Sequence, residues 1–186
     1  MKIMVVLSVN EIIVDVDTNN FYRIIWIDSG YMIVYVIDIN DPIAIPFIML
    51  IKEIEERIET AEIVVQIDKG IFLKREPTKK DIEHRDRTWD AIKELVKLEP
   101  EIYDKNKRKK LIIEEMVKHG VKSHKTLYKY LRKYWQRGMI KDCLFPDYAL
   151  NKVVLNYKVN EKVNSISGSR AGLSMYTYFS WGISKS

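Results

Sequence analysis

The chain has 186 residues, of which 47% are apolar and 31% charged, a composition typical of a folded protein with one or two small domains. Its longest uncharged apolar run, residues 42–51, is about half the length of ~20 residues that a membrane-spanning helix needs. The N-terminus lacks a signal-peptide pattern, and the single cysteine excludes an internal disulfide. Only three scattered histidines are available for zinc. We therefore expect a cytoplasmic protein with no metal, no cofactor and no membrane partner.

The formal net charge of +5 is the sum of regions of unlike sign. Residues 1–75 have a net charge of −5, residues 76–148 one of +6, and residues 149–186 one of +4. Within the middle region, residues 105–141 contain thirteen basic residues and only two acidic ones. Such a concentration indicates either a polyanionic partner or a solvated basic surface.

The first third of the chain alternates apolar and polar residues as β-strands do, and its β-branched and aromatic residues favour strands as well. The pair Ser29-Gly30 suits a hairpin turn between two of these segments. In residues 47–60 the period changes, because leucine and isoleucine recur on one helical face and glutamates lie elsewhere, which predicts a short amphipathic helix. Strands are predicted at residues 11–17, 21–28, 31–38 and 62–68.

From residue 81 onward the pattern is helical throughout. Asp104 is placed to cap a second helix, Ser123 a third, and Gly120 supplies the turn between these two. Helices are predicted at residues 81–98, 104–119 and 123–137. The sequence thus predicts an α+β fold, in which a small N-terminal α+β domain with a β-hairpin precedes an all-α helix-turn-helix domain and an irregular C-terminal tail. The predicted bounds are 1–75 for the first domain, 76–84 for a linker, 85–148 for the second domain, and 149–186 for the divergent tail.

The third helix has two unlike sides on a helical wheel. Leucines and tyrosines gather on one side, whereas Lys125, Lys129, Arg132 and Gln136 form a stripe on the other. Lysine and arginine neutralise phosphates or contact guanine, and glutamine reads adenine, so this pattern predicts DNA binding by the second helix of a helix-turn-helix. A basic, solvent-facing helix in an ordinary bundle is the alternative. The candidate DNA-binding residues are Lys107, Arg108, Lys125, Thr126, Lys129, Arg132, Lys133, Gln136 and Arg137.

Several segments resemble the N-terminal DNA-binding region of TnsB-type transposases, the recombinase subunits of heteromeric transposons. The most specific is TLYKYLRKYWQRG at residues 126–138, followed by LFPDY at 144–148. HRDRTWDAIKELV at 84–96 and RIIWID at 23–28 also keep the family's order. The resemblance implies binding of double-stranded DNA at the repeats of transposon ends, with other transposase subunits as further partners.

The same family implies a catalytic domain after this region, in which three separated carboxylates hold two divalent metal ions. Here 38 residues follow Tyr148, and Glu161 is their only acid. We therefore expect a fragment that ends before the catalytic domain and is not an enzyme. The tail is either a shifted or degenerate coding tail or a short strand-forming appendage. An interaction module that docks to other transposition subunits, with only non-specific DNA affinity, is the alternative function.

Two residues with reactive side chains are interpreted as structural. Cys143 has no histidine in a context that suggests a paired base, so we expect a buried thiol. Asp147 lies in a Pro-Asp-Tyr turn, where an aspartate more commonly supports the backbone than chemistry.

Overall fold

The N-terminal half forms an antiparallel sheet of five strands in the computed structural model, which describes residues 6–68, 70–119 and 123–151. The strands are β1 (Ile12–Asp15), β2 (Asn20–Ile27), β3 (Ile33–Asp38), β4 (Phe47–Leu50) and β5 (Ile63–Gln66). Their order in the sheet is β4-β3-β2-β1-β5, with β4 and β5 at the edges. All four predicted strands are present: β2 is displaced by one residue towards the N-terminus, β1, β3 and β5 are shorter than predicted, and β4 is an additional strand.

Both faces of this sheet are buried. In β3, Val34 and Val36 lie on one face, whereas Tyr35 and Ile37 lie on the other, and all four are at most 8% exposed. An antiparallel sheet with one solvated face would alternate apolar and polar residues. The sequence of β3 is therefore nearly continuously apolar because the strand is covered on both faces.

Helix α1 (Ile51–Glu59) covers the first face. Ile51 and Ile54 are buried there against Ile24 and Val34 of the sheet. The prediction of a helix over residues 47–60 is wrong at its start, because residues 47–50 form β4 and pair with β3. Helical spacing of apolar residues continues backward into this run, so periodicity alone does not separate strand from helix here.

The second half is helical, as predicted, with one interruption. The first helix of this half begins at Lys79, two residues before its predicted start, and Thr78 and Asp81 form a capping box there. The predicted helix over 81–98 is broken at residues 91–92, where Ile92 turns inward and is fully buried. The carboxylate of Asp104 accepts from the N–H groups of Asn106 and Lys107 at 2.8 and 2.9 Å, which confirms the predicted cap. The helices are α2 (Lys79–Asp90), α3 (Lys93–Val96), α4 (Lys105–His119) and α5 (His124–Gln136).

One hydrophobic core joins the second face of the sheet to these helices. Tyr103 stands at the junction, with its ring 5.4 Å from that of Tyr35 in β3 and 5.6 Å from that of Trp135 in α5. Leu131 of α5 and Ile37 of β3 belong to the same buried cluster. The α+β fold is confirmed, and its two halves pack into each other.

The chain between the halves is also held in place. Residues 79–84 of the predicted linker form the first half of α2. Before it, the N–H of Lys74 donates to the carbonyl of Ala149 at 3.0 Å, and the N–H of Asn151 donates to that of Phe72 at 2.9 Å. Tyr148 donates its hydroxyl to Asp81 at 2.7 Å, which lowers the pKa of that carboxyl. The predicted tail beyond residue 151 lies outside the described residues.

The shared core predicts that a cavity in α5 destabilises the sheet as well. Leu131→Ala should lower the free energy of unfolding by about 2–5 kcal/mol, because Leu131 is fully buried. Amide hydrogen exchange followed by mass spectrometry should then show faster exchange in peptides covering β3 as well as in α5. Val117→Ala is the control, since Val117 is 82% exposed. Unchanged protection of β3 in Leu131→Ala would show that the halves unfold independently.

Candidate nucleic-acid interface

Helices α4 and α5 together contain ten of the chain's 31 lysines and arginines but only two of its 26 acidic residues. The sequence of α5 contains no acidic residue. Its Leu127, Leu131, Tyr134 and Trp135 are buried, as the helical wheel predicted for the first three. The burial of Trp135 against the sheet fixes which side of α5 faces outward.

Five lysines of these two helices are exposed and have no carboxylate within 4.0 Å among the described residues. Two neighbouring lysines differ, because Lys110 lies 3.9 Å from Glu114 and Lys118 lies 3.8 Å from Glu115. Unpaired cations keep their full charge for an external anion. We call these five lysines the basic surface: Lys105, Lys107, Lys109, Lys125 and Lys129.

The C-terminal half of α5 contacts the sheet domain instead of solvent. The side-chain amide of Gln136 donates to the carbonyls of Asp38 and Asp41, both at 2.7 Å. The guanidinium of Arg132 donates to the carbonyl of Pro42 at 3.1 Å. The side chains of Gln136 and Arg132 therefore point towards the sheet domain and do not extend the outward stripe of Lys125 and Lys129, contrary to the prediction from the helical wheel. A wheel orients a helix against its own helical neighbours and contains no information on the loop of another domain.

Two further candidates, Lys133 and Arg137, hold the segment after α5. Both donate to the same carboxylate oxygen of Asp147 at 2.8 Å. Burial alone would raise the pKa of Asp147, but the two cationic hydrogen bonds outweigh it and hold the pKa at about 2. Asp147 thus has the structural position that the Pro-Asp-Tyr turn indicated.

The remaining candidates have unlike environments. Arg108 is 2% exposed, and its guanidinium donates to the carbonyls of Ile102 and Tyr103. Its burial lowers its pKa, and it braces the start of α4 from inside the core. Lys107 is exposed beside it, and Thr126 is half-buried in the first turn of α5.

Sequence reasoning missed Arg23, the residue that ties α5 to the sheet. Its side chain is 3% exposed and pairs with Asp68 at 2.8 Å. It also donates to the carbonyls of Gln136 at 3.2 Å and Asn10 at 3.1 Å. The signal was an arginine in an otherwise apolar strand, since a buried charge requires partners. Gly138 follows α5 at this point with a φ of +104°, a conformation that favours glycine.

Other reactive groups form no site in the described part of the chain. Cys143 is fully buried, and burial raises its pKa to about 12, so its thiol stays protonated at neutral pH. Across residues 6–68, 70–119 and 123–151, histidine, cysteine, aspartate and glutamate side chains form no group of three suited to a metal ion. Within the same ranges, no helix is both long enough and apolar enough to span a bilayer.

Comparison with known proteins places both halves in one family. Residues 6–68 match the TnsB N-terminal SH3-like domain, and residues 85–148 match the TnsB second domain. The chain therefore belongs to the TnsB family over these two domains. It is 31% identical over 149 residues to the transposon Tn7 transposition protein TnsB of Escherichia coli. That alignment covers 76% of this chain and 20% of the relative, so the chain spans about a fifth of the relative's length.

The contact between Gln136 and the sheet domain predicts a loss of stability when it is removed. Gln136→Ala removes a donor from the carbonyls of Asp38 and Asp41, of which the second keeps the N–H of Ala44 at 3.2 Å. The loss should cost about 1–3 kcal/mol of unfolding free energy. Urea denaturation followed by circular dichroism measures this cost. Lys129→Ala is the matched control on the same helix, because its exposed side chain makes no such bond, and its effect should stay within about 0.5 kcal/mol. Equal effects of the two substitutions would contradict the assignment.

The Asp147 contacts predict a defined pH dependence. Its folded-state pKa of about 2 lies below the ordinary value of about 3.9, so its stabilising effect is present above pH 4 and is lost as pH falls towards 2. Asp147→Asn should therefore lower the Tm at pH 7, and its difference from the original chain should shrink between pH 4 and pH 2. The effect is small because this carboxylate is 54% exposed. A constant Tm difference over that range would exclude the ionic contribution.

Proposed function

We propose that the chain binds double-stranded DNA in a sequence-specific manner at transposon-end repeats, as the N-terminal region of a TnsB-like transposase. The observation that carries the proposal is the basic surface, five unpaired lysines on two successive helices of a chain with the two N-terminal TnsB domains. Helices α4 and α5 then act as a helix-turn-helix, with α5 in the major groove. The proposal concerns DNA binding alone, because both matched domains are N-terminal ones.

The environments of the candidate residues suggest different roles for the two halves of α5. Lys125 and Lys129 are exposed in its first half, with the half-buried Thr126 between them, and this half of α5 is proposed to contact DNA, as the N-terminal residues of a recognition helix do. Lysines 105, 107 and 109 begin α4, where cations suit the phosphate backbone. In this proposal Arg132, Lys133, Gln136 and Arg137 act indirectly, because their contacts fix the direction of α5 relative to the sheet.

The two matched domains are proposed to bind as one unit. The buried pair of Arg23 and Asp68 and the shared core leave α5 one position on the sheet. A recognition helix held in this way needs no ordering upon binding, which reduces the entropic cost of association.

The first test compares two DNA duplexes by fluorescence anisotropy, one with a transposon-end repeat and one with its shuffled sequence. Five phosphate contacts should give a log–log slope of affinity against salt of about −4 to −5. The repeat should bind at least tenfold more tightly than the shuffled duplex at physiological salt. Equal affinity for both duplexes would show that the chain binds polyanions without sequence specificity. Affinity that does not depend on salt would show that the basic surface does not contact DNA.

The second test compares two single variants, each of which removes one lysine from a different helix. Lys129→Ala should weaken DNA binding about three- to tenfold and reduce the magnitude of the salt slope by about one. Lys52→Ala is the charge-matched control, because Lys52 is exposed on α1, across the sheet from α5. If both variants weaken binding equally, net charge alone and not the position of Lys129 determines affinity.

A further inference from the structure

A groove of about 600 Å³ lies where the loop before β4 meets helices α4 and α5. Ile43 and Ile45 of the loop and Tyr128 of α5 supply apolar side chains to its lining. Lys105 and Lys109 of α4 supply positive charge. The lining residues include no aspartate or glutamate. The groove thus combines an apolar wall with a cationic one.

The exposure of the two isoleucines follows from how the loop is fixed. Its residues alternate, with Ala44 and Pro46 buried, so that Ile43 and Ile45 point outward with 74% and 43% of their surface exposed. The loop is anchored immediately before these residues, by the bond from Arg132 to the carbonyl of Pro42. Two exposed isoleucines close together in the chain can form part of a contiguous apolar patch, and such patches mark interaction sites.

The apolar surface continues from the groove along the sheet edge. In the described part of the chain β4 pairs with β3 alone, so its outer edge is open to a further strand. Phe47, Ile48 and Leu50 of β4 are each between 41% and 49% exposed. An extended peptide can add to such an edge through backbone hydrogen bonds while its side chains enter neighbouring pockets.

We propose that this groove binds an extended, acidic segment of a partner protein, in which an apolar side chain is flanked by carboxylates. The carboxylates pair with Lys105 and Lys109, and the apolar side chain packs against Ile43 and Ile45. A DNA backbone satisfies the lysines but offers little apolar surface to the isoleucines. The charge and the apolar wall together therefore favour a peptide. Because Lys105 and Lys109 also belong to the basic surface, the peptide and DNA compete for these two lysines.

The experiment uses the full chain labelled with ¹³C at the isoleucine methyl groups, with resonances assigned through Ile43→Val and Ile45→Val. The probe is a synthetic peptide of the sequence Asp-Glu-Leu-Asp-Phe-Glu-Asp. Its addition should shift the methyl signals of Ile43 and Ile45 saturably. The signal of Ile113 should stay unchanged, since Ile113 is exposed on α4 outside the groove lining. A peptide in which leucine and phenylalanine are replaced by serine should bind at least fivefold more weakly.

Variants separate this groove from the DNA-binding surface. Ile43→Ser combined with Ile45→Ser should weaken peptide binding at least fivefold and leave DNA affinity unchanged, because exposed isoleucines are not needed for folding. Ile113→Ser is the matched control and should bind the peptide normally. Unchanged DNA affinity of Lys129→Ala together with intact peptide binding would contradict the proposed function and leave the inference about the groove standing.

Three results would overturn the inference. If the serine-substituted peptide binds as tightly as the original one, charge alone attracts the peptide and the apolar wall of the groove does not contribute. Shifts of Ile43 and Ile45 with a DNA duplex but not with the peptide would assign the groove to DNA. Shifts that depend on protein concentration without any peptide would assign it to a second copy of the chain.

Discussion

The attachment of the C-terminal end of α5 to the sheet is the constraint on which the other features depend. Gln136 donates to the carbonyl of Asp38 at the end of β3 and to that of Asp41 in the following loop, and Arg23 of β2 donates to the carbonyl of Gln136. Each side chain donates to half-buried backbone carbonyls, and the two interactions meet at Gln136, so they support each other. Together with Trp135 they set the side of α5 that remains in water.

This attachment gives the positive charge of α5 two different roles. Towards its start, Lys125 and Lys129 are exposed and unpaired. Towards its end, Lys133 and the following Arg137 both pair with the single carboxylate of Asp147, which offsets one of their two charges. A net charge counted over residues 105–141 therefore overstates the charge that is available to a polyanion. The net charge also gives no indication that the loop after Pro42 places the apolar side chains of Ile43 and Ile45 beside the basic surface.

The sequence predicted what depends on local pattern. Runs of β-branched and aromatic residues located β2 and β3, and the Asp104 cap and the apolar face located α4 and α5. It misplaced β4, because a four-residue apolar run becomes a strand only through bonds to β3. It also misjudged Gln136, whose partners at Asp38 and Asp41 are almost a hundred residues away. Contacts between distant segments leave no periodic signal, and these contacts decide which candidate residues face outward.

The common core of the two halves restricts how such a protein can be rebuilt by recombination. A helix transplanted alone from a relative into the position of α5 would arrive without its matching sheet residues. Arg23, Asp68 and the loop that receives Gln136 would have to be exchanged with it. The two domains, which match two separate parts of the TnsB family, are therefore coupled through this contact. A replacement of the buried side of α5 requires matching changes on the sheet surface.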